Sequence, residues 1–183
     1  LEGRGPHDLR LLCVELAAHM LVLGKKSTSL AAARLLARRN LSNGAALKKF
    51  KDMCTSQGST FDICADRSKL ALSSHKIVVH APRAGFITKM DVEKLGLLLV
   101  GLGAGRKKTS DVIDPSVGAL FHSKIGATVK PGTPMITIHY NPKTTDASGV
   151  SHLAREFEST IEITSRHVTT PKLIKKVIDY KKK

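Results

Sequence analysis

Three stretches near the start of the chain repeat apolar residues with the spacing of amphipathic helices. The first begins after Gly5-Pro6, because proline lacks the N–H that a first helical turn leaves unbonded, and it ends at Gly24. The second covers residues 29–39 and the third covers residues 45–57. The positions predicted to face inward are Leu9, Leu12, Cys13, Leu16, Met20 and Leu23, then Leu30, Ala33, Leu35 and Leu36, then Leu47, Phe50, Met53 and Cys54.

From residue 75 onward the pattern changes to short β-rich runs separated by a few helices. The predicted strands cover residues 77–80, 85–90, 117–123, 135–140 and 160–164, and the predicted helices cover residues 92–102, 148–157 and 172–178. Between two of the β-rich runs lies Lys130-Pro131-Gly132-Thr133, whose proline and glycine are typical of a tight turn. This stretch predicts a hairpin.

The order of these elements predicts an α+β fold in two parts. After Asp66 the composition shifts toward Ser, Lys and Leu, and Ser73-Ser74 marks the predicted boundary. We therefore expect a helical segment over residues 1–74. It is followed by a domain over residues 75–183 with a mixed β-sheet of barrel or sandwich type and a few helices.

Composition and charge narrow the classes of partner. With 183 residues, of which 42% are hydrophobic, the chain is long enough to bury a core. Thirty Lys and Arg against fifteen Asp and Glu give a net charge of +15, which favours phosphate-rich partners electrostatically. Aromatic residues make up only 4%, there is no Trp, and no helix-turn-helix, zinc-finger or RNA-recognition motif occurs. A nucleic-acid partner is therefore disfavoured.

The cysteines and the apolar runs indicate the compartment. Cys13, Cys54 and Cys64 are an odd number without metal-ligand spacing, so neither a disulfide framework nor a zinc site is expected. The longest nearly continuous apolar run, residues 95–102, is too short to span a membrane. We expect a cytoplasmic protein that does not bind a membrane.

A glycine series with basic residues offers one candidate binding site. Gly101, Gly103 and Gly105 are spaced like a dinucleotide-binding loop, but they follow a helix, whereas that loop lies between a strand and a helix start. The position therefore favours a helix-terminating turn. Arg106, Lys107 and Lys108 remain candidates for a weak anion-binding patch, with a solvated charge cluster as the alternative.

Other residues with reactive side chains lack the arrangement that catalysis or metal binding requires. The eight histidines include His80, His122 and His139 near predicted strand ends, without spacing typical of a metal site. Asp111 and Asp114 are three residues apart, and a role for Asp111 as a cap and for Asp114 as a turn or ion-pair residue is favoured over an acid–base pair. No nucleophile motif occurs. We therefore assign no catalytic, substrate-binding or metal-binding residue to this chain.

A longer series of residues resembles a known family. It contains Ala84-Gly85-Phe86-Ile87, Leu102-Gly103-Ala104-Gly105-Arg106, Asp111-Val-Ile-Asp114, Val117-Gly118, Lys124-Ile125-Gly126, Val129-Lys130-x-Gly132 and Ile136-Thr137-Ile138-His139, preceded by Gly5-Pro-x-Asp8-Leu9, Ala32-Ala33-Arg34-x-Leu36, Gly44-x-Ala46-Leu47-x-x-Phe50 and Gln57-Gly58. In this order and spacing the chain resembles the C-terminal portion of the pyrimidine-nucleoside phosphorylases, the thymidine phosphorylase family.

The resemblance implies a parent enzyme with a defined chemistry. Such an enzyme uses phosphate as co-substrate to split a pyrimidine nucleoside into the base and a (deoxy)ribose 1-phosphate, in nucleoside salvage and catabolism. It also implies that residues 1–74 complete a larger α/β domain. The residues that bind substrate, perform catalysis and ligate the family's monovalent cation would lie upstream, as would the helical domain that makes the homodimer. The partner of this chain would be that N-terminal remainder; no cofactor is expected here, and the isolated chain is predicted to be inactive.

A second resemblance concerns architecture. Pro82-x-x-Gly85-Phe86-Ile87 and Lys124-Ile-Gly126-x-x-Val129-x-x-Gly132-x-Pro134-Met135 resemble the two halves of a biotinyl- or lipoyl-carrier domain. Carriers present an acceptor lysine at a hairpin tip, and Lys89 is a poor match because it lacks the preceding Met of the biotin motif. A carrier domain and a basic nucleic-acid-binding module therefore remain as alternatives to the phosphorylase interpretation.

Overall fold

The computed structural model describes residues 1–145 and 147–178 and divides the chain between Lys69 and Leu70. Residues 1–69 together with 172–178 form one compact unit, which we call the helical unit. Residues 70–171 form the other, the α+β unit. The assignment of residues 1–74 to a larger α/β domain stays a prediction, as does the domain over 75–183, whose last five residues lie outside the described ranges.

The helical unit contains three helices, α1 (His7–Leu23), α2 (Leu30–Ser42) and α3 (Ala45–Ser56), and a short turn of 3-10 helix, Arg67–Lys69. Pro6 directly precedes α1, and Ser29 caps α2 by accepting the Ala32 N–H on its hydroxyl at 3.2 Å. The three predicted helices are thereby confirmed. No described helix is both long and apolar enough to cross a lipid bilayer.

Small buried side chains and one ion pair join α1 to α2. Val14 and Ala18 of α1 and Ala33 and Ala37 of α2 are buried, and they are small enough to let the helix axes approach. Beside them Arg34 donates to both carboxylate oxygens of Glu15, at 2.6 Å each. This two-bond geometry suits a guanidinium and a carboxylate and fixes the register of the pair.

The predicted inward faces of these helices are partly wrong. Leu9, Leu16, Met20 and Leu23 of α1 are each more than half exposed, because α2 packs on the side that carries Val14 and Ala18 instead. In α2 the predicted Ala33 is buried, but Leu35 is exposed. In α3 the predicted Leu47, Phe50 and Cys54 are half-buried, whereas Met53 is exposed.

The α+β unit contains two antiparallel three-stranded sheets, with strand orders β1-β5-β3 and β4-β2-β6. The strands are β1 (Lys76–His80), β2 (Gly85–Met90), β3 (Gly118–Phe121), β4 (Thr128–Val129), β5 (Pro134–His139) and β6 (Ile161–Thr164). The helices are α4 (Val92–Leu99), which continues as a π-helical turn over Val100–Ala104, and α5 (Ala147–Glu158). The α+β class is confirmed, although both sheets are antiparallel and the described strands form no closed barrel.

One hydrophobic core serves both sheets. Ile136 and Ile138 of β5 and Ile87 of β2, the central strands, are completely buried, as is Phe157 of α5. The other members of the core are Val79, Ala81, Leu95, Leu102, Val117, Val129, Met135 and Ile163. Residues from every strand pair and both helices therefore contribute to a single core.

The predicted hairpin at Lys130–Thr133 is wrong, although the turn itself exists. The Thr133 N–H donates to the Lys130 carbonyl at 2.9 Å, which closes the turn. However, β4 pairs with β2, and β5 pairs with β1 and β3, so the chain passes from one sheet to the other. Ala81 fixes this corner, since its N–H donates to Thr133 and its carbonyl accepts from Gly132.

The helix predicted over residues 172–178 is also wrong, since these residues form no helix. The predicted helices over 92–102 and 148–157 and the predicted strands are confirmed, with ends that differ by a few residues. Helix ends are set by capping contacts that the apolar pattern does not encode.

We predict that the Glu15–Arg34 pair makes the helical unit sensitive to acid. The hydrogen bond from Arg34 holds the pKa of Glu15 below its ordinary value of about 4.5. A group with a lowered pKa stabilises the folded state fully above its unfolded pKa and loses that contribution as the pH falls through the folded pKa. The Glu15→Gln variant should therefore be less stable than the wild type at neutral pH and equally stable in strong acid.

Urea unfolding followed by helix circular dichroism at a series of pH values measures this difference. Asp52→Asn is the matched control, because the Asp52 carboxylate pairs with the exposed Lys48 and Lys49. A stability difference between wild type and Glu15→Gln that stayed constant from neutral to strongly acidic pH would contradict the prediction.

Candidate functional site

The predicted anion patch lies on an exposed loop directly after the π-helical turn. The side chains of Arg106, Lys107 and Lys108 are all exposed. The backbone N–H groups of Lys107 and Lys108 both donate to one oxygen of Asp111, at 3.0 and 3.1 Å. The Asp111 carboxylate thus occupies two amides that a phosphate cradle would use. The three cationic side chains face solvent, and their role as an anion patch stays a prediction.

The glycine series before this loop ends a helix. Gly103 has a left-handed φ of 104°, which L side chains rarely adopt, and its carbonyl accepts the Asp114 N–H at 2.9 Å. At Gly105 a Cβ atom would lie 2.8 Å from the Val100 side chain. Because Gly101 and Gly103 lie in the last turn of the helix and Gly105 directly follows it, the carbonyl end of the helix faces them, and that end repels anions. The helix-terminating interpretation is confirmed.

Asp114 is a turn residue whose carboxylate accepts hydrogen bonds from residues of its own turn and of the segment after β5. One carboxylate oxygen accepts the Ser116 N–H at 2.9 Å and the Ser116 hydroxyl at 2.6 Å, and the other accepts the Asn141 side-chain amide at 2.8 Å. The Ser116 hydroxyl first, and then the Asn141 amide, hold the pKa of Asp114 below its ordinary value. A carboxylate kept ionised in this way joins the loop to the end of β5 and is poorly suited to donate a proton.

The strand-end histidines are separated along the sheet. His139 is opposite Lys76 at one end of β1, and its Nδ1 lies 2.8 Å from the Ser73 carbonyl. His80 is at the other end of β1, about 13 Å along the strand from Lys76. His122 Nε2 lies 2.8 Å from the Thr137 hydroxyl. Within residues 1–145 and 147–178, no three His, Cys, Asp or Glu side chains are grouped as metal ligands would be.

Lys89 does not occupy the position that a carrier domain requires. It lies inside strand β2, opposite Glu162 of β6, and the neighbouring Thr88 hydroxyl donates to the Glu162 carbonyl at 3.2 Å. A carrier lysine must reach distant active sites from the tip of a hairpin. The geometry therefore does not favour the carrier alternative.

The structure also shows an open cleft of about 560 Å³ in the α+β unit that sequence reasoning missed. Its apolar wall includes Met135 and Ile163, and its polar rim includes Arg83, Arg155 and Glu158. Arg83 donates to the carbonyl of Ile163, so its guanidinium is anchored to β6. These residues are far apart in the chain, and no local motif signals that they meet.

We predict that Gly103 is required for the stability of the α+β unit, whereas Gly101 in the same series can be replaced. Gly103→Ala should destabilise the α+β unit by about 1–3 kcal/mol, because alanine is strained at a left-handed φ. Gly101→Ala is the matched control, since Gly101 has open space around it and no positive φ; it should be neutral or gain up to about 1 kcal/mol.

Urea unfolding, with amide exchange of the β5 strand as the local readout, measures both variants. Equal losses from the two substitutions, or none from Gly103→Ala, would show that the turn does not depend on Gly103.

Part of the chain is similar to a known protein family. Residues 86–163 match the family model described as the pyrimidine nucleoside phosphorylase C-terminal domain. These residues run from β2 to β6 and include both helices of the α+β unit.

Individual relatives extend the match into the helical unit. The chain is 38% identical over 146 residues to the pyrimidine-nucleoside phosphorylase of Bacillus subtilis, a match that covers 80% of this chain and 34% of the relative. It is 34% identical over 178 residues to the pyrimidine-nucleoside phosphorylase of Staphylococcus haemolyticus, covering 97% of this chain and 40% of the relative. The chain thus spans about a third to two fifths of the length of these relatives. By its domain match and its relatives alike, the chain is similar to the C-terminal portion of the pyrimidine-nucleoside phosphorylases.

Proposed function

We propose that this chain is the C-terminal part of an enzyme that splits pyrimidine nucleosides with phosphate, yielding the free base and a (deoxy)ribose 1-phosphate. The observation that carries the proposal is the match of residues 86–163 to the phosphorylase C-terminal domain. The relatives that share 34–38% identity with the chain carry the same enzyme name. The parent is accordingly a pentosyltransferase, one of the glycosyltransferases, of pyrimidine nucleoside metabolism.

Within that enzyme the chain has a structural role. Phosphorolysis passes through a sugar with oxocarbenium character, so catalysis depends on correctly placed charges and on holding phosphate beside the sugar. The polar groups described above form hydrogen bonds within turns and at strand ends. Asp111 accepts two backbone N–H groups, and Asp114 accepts from Ser116 and Asn141. The Nδ1 of His139 lies at hydrogen-bond distance from a backbone carbonyl. The groups that bind base, sugar and phosphate are therefore assigned to the part of the enzyme upstream of Leu1, and none to this chain.

The single core of the α+β unit supports this role. Because both sheets and both helices share one set of buried residues, the unit can move as a body against an active-site domain. We propose that it packs against that domain and helps to set its closure over the substrate.

The remaining properties of the parent follow from the same assignment. The partner of this chain is the N-terminal remainder of the enzyme, and the parent enzyme forms a homodimer through that region. Phosphate is a co-substrate, and this chain needs no cofactor. Three free thiols fit the reducing cytoplasm. The +15 net charge supports neither nucleic-acid nor membrane binding without a matching motif.

We predict that the chain alone releases no base from thymidine or uridine in the presence of phosphate. Fused to the region of the Bacillus subtilis relative that precedes the matched residues, it should release thymine or uracil at a rate that depends on phosphate. The physical reason is that the upstream region supplies the groups that bind base, sugar and phosphate, and this chain supplies the C-terminal domain. The enzyme needs both in one molecule. Chromatography of the released bases measures the reaction.

Two controls accompany this experiment. The upstream Bacillus region without this chain tests whether the C-terminal part is needed, and omission of phosphate separates phosphorolysis from hydrolysis. Base release by the chain alone would overturn the assignment of the chemistry to upstream residues. A fusion that folds but releases no base would contradict the proposed function.

A further inference from the structure

Helix α1 carries a continuous apolar stripe on its exposed side. Its members follow one another at intervals of four, three, four and three residues: Leu9, Cys13, Leu16, Met20 and Leu23. We call this set the α1 seam. All five side chains are exposed, and the exposure rises from 55% at Leu9 and Leu16 to 71% at Met20 and 82% at Leu23. A spacing that averages 3.5 residues keeps the stripe on one side of the helix, with a slow drift around it, along about 21 Å, as in helices that pack side by side.

The α1 seam is a second apolar face, separate from the one that α2 covers. Val14 and Ala18 face α2 and are at most 4% exposed, and Glu15 beside them is bound to Arg34. A helix that is apolar on two faces is typical of an element packed between two neighbours. In the helical unit, α2 covers the face that carries Val14 and Ala18, and the seam residues stay exposed.

A cleft beside the α1 seam supports this interpretation. It has a volume of about 450 Å³ and lies where Cys13, Ala17 and Met20 of α1 approach Ala37 and Leu41 of α2. Its walls are overwhelmingly apolar. A neighbouring element that covers the seam could therefore insert a side chain into this cleft, as ridges insert into grooves between packed helices.

The charges at the two ends of the α1 seam disfavour a second copy of the chain. Arg10 lies beside the first seam residue, and Lys25 and Lys26 follow the last one; all three are exposed. Two copies packed in parallel would bring Lys25 and Lys26 of both copies together, and in an antiparallel pair Arg10 would lie near these lysines, with the single acidic residue Asp8 to offset three basic groups. The acidic Glu15 is already engaged by Arg34, and the whole chain carries a net charge of +15. The fitting occupant is an apolar surface with acidic side chains at its ends.

The relatives are much longer than this chain, and their additional polypeptide is a source for an apolar surface that could cover the α1 seam. The matched regions are 34% and 40% of the length of the Bacillus subtilis and Staphylococcus haemolyticus enzymes, so most of each relative is available to cover this face. We propose that the α1 seam is the docking surface for a segment of the phosphorylase polypeptide that lies outside these 183 residues. This proposal rests on the proposed function, and it names the part of the chain through which the two portions of the enzyme join.

Cys13 is a native reporter of this docking, because it is a seam residue with an exposed thiol. The fusion to the upstream Bacillus region and the 183-residue chain alone are treated with N-ethylmaleimide, and labelling of each cysteine is followed by peptide mass spectrometry. In the fusion, Cys13 should react at least about tenfold more slowly than in the chain alone. Cys54 and Cys64, which are half-buried and lie outside the seam, serve as internal references and should change much less.

Substitutions provide a second, independent measurement. Met20→Lys should leave the urea midpoint of the chain alone nearly unchanged, since Met20 is exposed there, but should lower that of the fusion. Leu35→Lys is the matched control, because Leu35 is similarly exposed at 68% but lies on α2, outside the seam. The fusion with Leu35→Lys should keep the midpoint of the unsubstituted fusion.

The outcomes separate this proposal from the proposed function. Protection of Cys13 in a fusion that releases no base would support docking and contradict the function; free reaction of Cys13 in an active fusion would overturn docking alone. Protection that grows with the concentration of the chain alone would assign the seam to a second copy and overturn the proposal. A fusion that does not fold is replaced by the corresponding Staphylococcus haemolyticus fusion, and failure of both to protect Cys13 would also overturn it.

Discussion

The two central strands of the α+β unit must be buried in the same core, and most other features of that unit depend on this requirement. β5 lies between β1 and β3, and β2 lies between β4 and β6. Ile136 and Ile138 of β5 and Ile87 of β2 are completely buried. Side chains of this size each contribute about 1.5–3 kcal/mol when they are removed from water. The chain therefore has to switch sheets between β4 and β5, and Ala81 holds that corner in place through two backbone hydrogen bonds.

The helical unit is held together differently. Small side chains bring α1 and α2 close, and the Glu15–Arg34 pair fixes their register, but the larger apolar side chains of α1 point away from this contact. The free energy available from burying the α1 seam is not realised within residues 1–69. This imbalance separates the two units: the α+β unit has a core of its own, whereas the helical unit exposes surface that suits burial against further polypeptide.

Sequence patterns predicted the elements well and their packing less well, for reasons that individual residues make clear. The apolar spacing in α1 was correct, yet it could not indicate which of two apolar faces α2 would cover. The turn at Lys130–Thr133 was correct, but turn chemistry does not determine whether the flanking strands pair with each other. The cleft rimmed by Arg83 and Arg155 depends on residues brought together only by the tertiary fold. The capping role predicted for Asp111, by contrast, is local, since its carboxylate accepts the backbone N–H groups of Lys107 and Lys108, four and three residues before it.

The residues that carry the family resemblance explain why the chain's chemistry is assigned elsewhere. Several of them are glycines at positions where the structure has no room for a side chain. A Cβ atom on Gly85 would lie 2.5 Å from the Thr164 carbonyl oxygen, and one on Gly105 would lie 2.8 Å from the Val100 side chain. Asp111 and Asp114 likewise direct their carboxylates to loop amides and a hydroxyl. A resemblance built from close approaches and turns reports a shared fold. Catalysis requires reactive groups that converge on a bound substrate, so its residues are expected where such groups meet, in the polypeptide that we propose docks on the α1 seam.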